Sequence, residues 1–429
     1  MLMHRFRRGP IPDSCKEYMQ DYVHTTCEPS GELVFPAPPG PAKALVAPGD
    51  RVLAGQPLWE CGGQVRIHSS GSGTVKALER RPALPCERLC LVIENDRRFQ
   101  TAPGVGKRTD WLELSRGALL ERVLSAGVTD MTPGRFPTAF RLGELGPEDV
   151  SRIAVDGTDW EPFVTCETDL MRTRGHGLAE GLRILLRLFP GAEGSMLIGE
   201  DNAKARAAMA EASAGFPGLL LTVVPSGTDP GNENLVRRLL GGAADGSACL
   251  VMSAAAVYAV YEAVCLSTPV FRRIVTVAGT AVKTPGNYLV RTGTACSELL
   301  SAAGGIRSGA SLRRAVLGGA LTGTALDTLD VPVQKDTEAL LLFAEDAPGE
   351  TGAGTECIRC GLCADACPKG LMPMLMARAA EECALTRYEK QLHGRECLHC
   401  GACTWICPAR RPLADLFRYA GGLLGAGKR

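Results

Sequence analysis

Two cysteine runs near the C-terminus limit the fold of this chain more than any other feature. The first reads Cys357-Ile-Arg-Cys360-Gly-Leu-Cys363-Ala-Asp-Ala-Cys367-Pro368, and the second Cys397-Leu-His-Cys400-Gly-Ala-Cys403-Thr-Trp-Ile-Cys407-Pro408. Both fit C-x2-C-x2-C-x3-C-P, the spacing of bacterial domains that carry two cubane iron–sulfur clusters. Three thiolates on a tight loop grip three corners of a cubane, and the fourth cysteine, just before the proline, ligates the other cluster. The spacing therefore predicts one [4Fe–4S] cluster on Cys357, Cys360, Cys363 and Cys407, and a second on Cys397, Cys400, Cys403 and Cys367. Gly361 and Gly401 stand where a Cβ would crowd inorganic sulfide. Structural zinc favours paired Cys ligands, four per ion, which two identical runs of four do not match. Disulfides need an oxidising compartment, and nothing in the sequence exports the chain. Two adjacent cubanes form a wire for single electrons.

The rest of the chain must supply a source and a sink for them. Its 429 residues leave room for several domains. The 47 basic and 47 acidic residues cancel, so no charge excess points to nucleic acid or to anionic lipid. The cysteines outside the runs (Cys15, Cys27, Cys61, Cys86, Cys90, Cys166, Cys249, Cys265, Cys296 and Cys383) lack ligand spacing. They read as buried small hydrophobes in a reducing cytosol. The N-terminal eight residues have no apolar core behind them, unlike a signal peptide. The most apolar stretch, 249–260, is too short to span a bilayer. The expectation is a cytoplasmic chain with no transmembrane segment of its own, peripheral on the membrane only through partner subunits.

Along the chain the pattern changes four times. Residues 1–30 are polar and irregular and read as an extended arm. Residues 31–100 alternate short strands with Gly/Pro turns, as in Val46-Ala-Pro-Gly-Asp50-Arg-Val-Leu-Ala-Gly-Gln56 and His68-Ser-Ser-Gly-Ser-Gly-Thr-Val75. That is a half-barrel pattern similar to biotinyl and lipoyl carriers. The turn holds Ser70-Gly71-Ser72-Gly73 where a carrier would present lysine, so the domain reads as a structural barrel sandwich. Residues 110–268 alternate strand and helix, which predicts a parallel α/β sheet. Helices are expected at 111–126, 170–188, 202–212, 234–240 and 254–266, and strands at 153–155, 195–199, 219–225 and 249–252. Residues 269–345 return to strands, with a strand pair and turn at 273–282, a further strand at 288–294, and short helices at 297–303 and 311–317; a small β-grasp-like domain fits. A Gly-rich linker, 346–355, leads to an α-helical dicluster domain, 346–429, with helices at 371–388 and 413–424.

This order, and several of its motifs, resemble the C subunit of the Rnf membrane complex, which couples ferredoxin and NAD. The segment 46–75 resembles its N-terminal domain. Asp156-Gly-Thr-Asp159-Trp-Glu161-Pro-Phe resembles its Asn-Gly-Ala-Glu-Cys-Glu-Pro-Tyr segment, and Gly318-Gly-Ala-Leu-Thr-Gly323 its Gly-Gly-Pro-Met-Met-Gly. Ile274-Val-Thr-Val-Ala-Gly with Pro285-Gly-Asn287 resembles its β-grasp. Relatives of the same layout include the cobalamin reductase of propanediol microcompartments and a proline-reductase-associated electron carrier. The resemblance implies an NADH-dependent oxidoreductase subunit whose α/β domain binds FMN and NADH. It implies other complex subunits and a ferredoxin-type or flavoprotein redox partner. It makes Asp159, Glu161 and Arg135 the candidates for the flavin and nicotinamide site.

The chain departs from the family at one loop. Where the family has Gly-x-Gly-Gly-Ala-Gly-Phe-Pro-Thr, this chain has Asp130-Met-Thr132-Pro133-Gly134-Arg135-Phe136-Pro137-Thr138. Glycines let backbone N–H groups approach a phosphate, Cβ atoms block that approach, and Pro133 removes a donor. Arg135 supplies a possible phosphate clamp. Two readings follow: a subunit that passes electrons from NADH through FMN to the cubanes, or a non-catalytic electron-transfer and docking subunit that has lost the flavin site. Glu161 likewise has two readings, a pocket residue at a strand's carboxyl end or simple turn chemistry.

Overall fold

The computed structural model describes residues 14–17, 23–63, 65–84, 86–129, 138–216, 218–225, 248–344 and 354–426. The loop at 130–137, with Arg135, the helix expected at 234–240 and most of the 346–355 linker lie outside them.

The barrel-sandwich region has two facing sheets. One has four strands in the order Glu32–Pro36, Arg88–Asn95, Gly73–Arg81, Arg51–Val52; the other orders Ala42–Ala44, Pro57–Cys61, Val65–His68. Side chains alternate as a period of two requires. Leu33 and Phe35 enter the core with Trp59, Leu91 and Ile93, while Val34 faces the other way with Cys90 and Val92. The Ser70 turn is no exposed tip. Ser69, Ser70 and Ser72 are fully buried, the Ser70 hydroxyl donates to the Thr292 carbonyl at 2.5 Å, and Arg291 donates to the Ser70 carbonyl at 2.7 Å. The hairpin end is therefore a docking surface for the strand-rich region at 272–343.

The central sheet is four parallel strands, ordered Leu219–Val224, Glu193–Gly199, Val150–Gly157, Ala248–Ser253. The helix Cys166–Leu188 begins a turn earlier than its apolar periodicity suggests, and is kinked at Arg174. It packs very close to the helix Ala254–Cys265. A Cβ on Gly181 would stand 2.2 Å from the Val257 carbonyl oxygen, so only glycine permits this approach.

The next sheet has six strands, ordered Thr25–Cys27, Gly286–Arg291, Arg272–Ala278, Ala339–Phe343, Arg314–Leu317, Thr324–Leu326. Residues 25–27 thus pair in parallel at its edge. Two expectations change. The helix expected at 311–317 is a strand over Arg314–Leu317, because pairing with Ala339–Phe343 overrides local propensity. The expected hairpin within 273–282 is one strand, Arg272–Ala278, followed by Gly279 at positive φ, and its antiparallel partner is Gly286–Arg291.

The C-terminal domain is helical. The helix expected at 371–388 stops at Glu381 and resumes as a π turn at Arg387–Gln391, since Cys383 takes a left-handed conformation. The last helix, Leu413–Ala426, packs Phe417 against Tyr388. Most cysteines outside the runs are buried as expected, but Cys86 and Cys383 are exposed.

Candidate metal centre

The two cysteine runs fold alike. Each passes through a left-handed pair, Arg359 and Gly361 in one and His399 and Gly401 in the other. Each then enters a single helical turn, Leu362–Asp365 or Ala402–Trp405. Arg359 and His399 are L residues in the left-handed region, a conformation that costs each about 1–2 kcal/mol. The repeated shape curls three cysteines of each run about a common centre.

The fourth cysteine crosses over. Cys357, Cys360 and Cys363 line one chamber together with Cys407 of the second run. Cys397, Cys400 and Cys403 line another together with Cys367 of the first. The remaining lining is mainly apolar, with Met374 and Leu413 in one and Leu371, Met376 and Phe417 in the other. Among the described residues, no three Cys, His, Asp or Glu converge as a single ion would require. Four cysteines line each chamber, the number of thiolates a cubane takes. Backbone N–H groups reach them: Leu371 donates to Cys367 Sγ at 3.3 Å and His399 to Cys397 Sγ at 3.4 Å. Burial pushes the Cys363, Cys397 and Cys403 thiols upward. The chambers differ in exposure: Cys357 and Cys360 are exposed, whereas Cys397, Cys400 and Cys403 are half-buried.

A pocket beside Cys400 and Leu398 contains both described residues of the expected flavin site, Asp159 and Glu161. Both carboxylates accept hydrogen bonds from the protein itself. Asp159, at φ +45°, accepts from Glu167 N–H at 3.0 Å and Thr168 N–H at 2.7 Å, and so caps the helix Cys166–Leu188. That helix has no side-chain cap of its own at Thr165, so its orphan donors need this carboxylate. Burial pushes the Asp159 carboxyl up, against the pull of Lys16 and of the Thr168 hydrogen bonds. Glu161, 2% exposed, accepts from Leu321 N–H at 2.8 Å, Thr322 N–H at 3.0 Å and the Thr322 hydroxyl at 2.5 Å. Arg135 lies outside the described residues.

The structure adds residues to this pocket that sequence reasoning missed. Glu167 also lines it, and its Oε2 accepts from Ala255 N–H at 2.8 Å, capping the helix Ala254–Cys265 beside Ser253. The helix expected to start at 170 left Glu167 outside it; the observed start at Cys166 puts this acid in the first turn. Glu338 lines it too, its carboxyl pushed up to about 8 by burial and then by Glu161. Lys16 donates to the Asp159 carbonyl, and Phe163 N–H to the Ser14 carbonyl at 2.8 Å, so residues 14–17 rest on the same loop. Nothing in the sequence near residue 16 announces that contact.

No helix among the described residues is long and apolar enough to cross a membrane. Three family models match the chain: the RnfC barrel sandwich hybrid domain over residues 4–98, the SLBB domain over 274–325 and the 4Fe-4S dicluster domain over 356–410. The dicluster match supports two [4Fe–4S] clusters. The chain is 33% identical over 343 residues to the C subunit of the ion-translocating oxidoreductase complex of Erwinia tasmaniensis, covering 76% of this chain and 42% of that protein. It is 31% identical over 384 residues to the protein of the same name from Serratia proteamaculans, covering 86% and 51%. The chain thus spans about half the length of the curated relatives it matches. Among solved structures, a chain of the NAD+-reducing [NiFe]-hydrogenase in the H2-reduced state aligns with a TM-score of 0.48 and 18% identity, covering 73% of this chain and 60% of that one. The barrel-sandwich, SLBB and dicluster domains in one order, and relatives that share a single name, support the Rnf complex C subunit family for this chain.

Proposed function

We propose that this chain is an iron–sulfur electron-transfer subunit of an Rnf-type complex, with one [4Fe–4S] cluster on Cys357, Cys360, Cys363 and Cys407 and another on Cys367, Cys397, Cys400 and Cys403. The observation that carries the reading is the crossed lining of the two chambers, three cysteines from one run and the last from the other. When bound, each cluster supplies a one-electron couple. The protein's part is to hold the thiolates, to keep much of the lining apolar, and to aim the Leu371 and His399 N–H groups at sulfur. Such hydrogen bonds draw charge from the thiolate and favour the reduced form. The half-buried set faces the acid-lined pocket through Cys400, and the exposed set at Cys357 and Cys360 faces solvent. We assign the exposed end to a ferredoxin-type or flavoprotein redox partner, and the chain to the cytoplasmic side, held at the membrane by other subunits.

Asp159 and Glu161, the two described residues of the expected flavin and NADH site, do not fit that role. Asp159 and Glu161 give their carboxylate oxygens to N–H groups of the protein itself. The electron-transfer and docking reading is therefore favoured over one in which electrons enter through FMN or NADH. The position of the pocket against Cys400 favours a second reading, an NADH-linked flavin subunit, because a cofactor there would adjoin a cluster. Anaerobic reconstitution with iron and sulfide separates the two. Dithionite is expected to bleach the clusters, and NADH with FMN is expected not to. Stoichiometric flavin and rapid bleaching by NADH would establish the second reading. Iron content unchanged in both Cys360→Ala and Cys400→Ala would refute the cluster assignment itself.

A further inference from the structure

Glu161 lies in the α/β domain, yet its carboxylate accepts three hydrogen bonds from the loop 318–323. That loop joins the antiparallel strands Arg314–Leu317 and Thr324–Leu326 of the six-stranded sheet. It is shaped to receive the carboxylate. A Cβ on Gly319 would stand 2.1 Å from Glu161 Cδ, and one on Gly323 would stand 2.3 Å from the Gly319 oxygen, whose hydrogen bond from Gly323 N–H closes the turn. Three donors converging on one buried carboxylate fix the loop more firmly than neutral hydrogen bonds would. The other side of the loop meets the dicluster domain. A Cβ on Gly401 would stand 2.5 Å from the Leu321 oxygen, and Gly401 directly follows Cys400. The pocket that holds Glu161, Thr322 and Gly323 is bounded by Leu398 and Cys400.

We propose that Glu161 is a positioning residue for the cluster on Cys367, Cys397, Cys400 and Cys403, acting through the loop 318–323 that it holds against Gly401. The inference rests on the cluster assignment above. A cluster's potential depends on solvent exposure, net charge and hydrogen bonding to its sulfurs. A loop fixed against the second cysteine run sets the first of these for one cluster. The Cys357 set has no contact with this loop among its chamber residues. The Gly-Gly-x-x-x-Gly motif is thereby explained as the receiver of a carboxylate and the spacer between two domains.

The test uses the full chain, reconstituted anaerobically. Iron and sulfide are counted, and each cluster is titrated by EPR, with the two signals assigned from Cys360→Ala and Cys400→Ala. Glu161→Gln keeps the shape but places an NH2 among donors. The expected result is full iron content, with the signal absent from Cys400→Ala shifted upward. Its reduced-to-oxidised ratio at fixed poise should change about tenfold, equivalent to about 59 mV for one electron. The other signal should not move. Glu161→Asp, which keeps both oxygens, should recover part of the shift, and Thr322→Val, which removes one donor, should give a smaller one even if Glu161→Gln folds poorly. Unmoved potentials at full iron content, or equal movement of both signals, would overturn the proposal. Fewer than two clusters in the unmodified chain would overturn the cluster assignment and this inference with it.

Discussion

The two glycines of the cysteine runs offer a controlled comparison. Gly361 and Gly401 occupy equivalent places, with φ +83° and +73°. Replacing either by alanine puts an L residue in the left-handed region, at a cost of about 1–2 kcal/mol. Crowding of cluster sulfide, if it contributes, contributes to both. The surroundings then differ. Beyond its chain neighbours, nothing lies within 4 Å of a Cβ at Gly361, whereas one at Gly401 meets the Leu321 oxygen at 2.5 Å and its carbonyl carbon at 3.1 Å. Backbone cannot rotate away as a side chain can, so Gly401→Ala adds an overpacking cost of about 1–3 kcal/mol. The total is roughly 2–5 kcal/mol at Gly401 against about 1–2 kcal/mol at Gly361. The assay is urea unfolding followed by the visible absorbance of the clusters, which isolates the dicluster domain within a chain of several domains. Gly401→Ala should lose cluster absorbance at clearly lower urea than Gly361→Ala, and its EPR should show disturbance of the Cys400 signal first. Equal midpoints would refute the claim that the loop 318–323 presses on the second run.

Other outcomes follow from the same geometry. Cys367→Ala and Cys400→Ala should abolish one EPR signal, and Cys407→Ala and Cys360→Ala the other; pairing by run instead would refute the crossed ligation. Lys335 donates to the Arg66 and Gly127 carbonyls, each at 2.7 Å, and so ties the barrel sandwich to the α/β domain. Lys335→Met should cost about 1–3 kcal/mol in urea unfolding, because both carbonyls lose their donor. The Glu338 carboxyl, ordinarily at 4.5, is pushed up to about 8, first by burial and then by Glu161. The folded state therefore holds a proton that the unfolded chain releases, and stability should fall as pH rises between those two values. Glu338→Gln should flatten that slope, measured as the urea midpoint across the same range; an unchanged slope would exclude Glu338 as its source.

Much of the molecule was legible because its signals are local. Cluster spacing is read within a dozen residues, since three ligands must come from one tight loop. The half-barrel turns and the strand–helix alternation are likewise short-range patterns, and they recur at the expected places in the fold. The crossed fourth cysteine followed from the chemistry of the motif. What the tertiary structure decided depends on partners far apart in the chain. Residues 314–317 are a strand because Ala339–Phe343 offers a ladder, although their own sequence suits a short helix. The family resemblance made Asp159 and Glu161 candidates for the flavin and nicotinamide site, with turn chemistry a second reading of Glu161, and a carboxylate looks the same in sequence whether it meets a cofactor or a backbone. Folding brings Asp159 to the first turn of a long helix and Glu161 to the turn of a distant hairpin, where unpaired N–H groups need an acceptor. The sequence by itself determined the spacing of the eight cysteines proposed to hold the two clusters. Tertiary structure decided what surrounds them, because burial and hydrogen bonding are properties of the assembled chain.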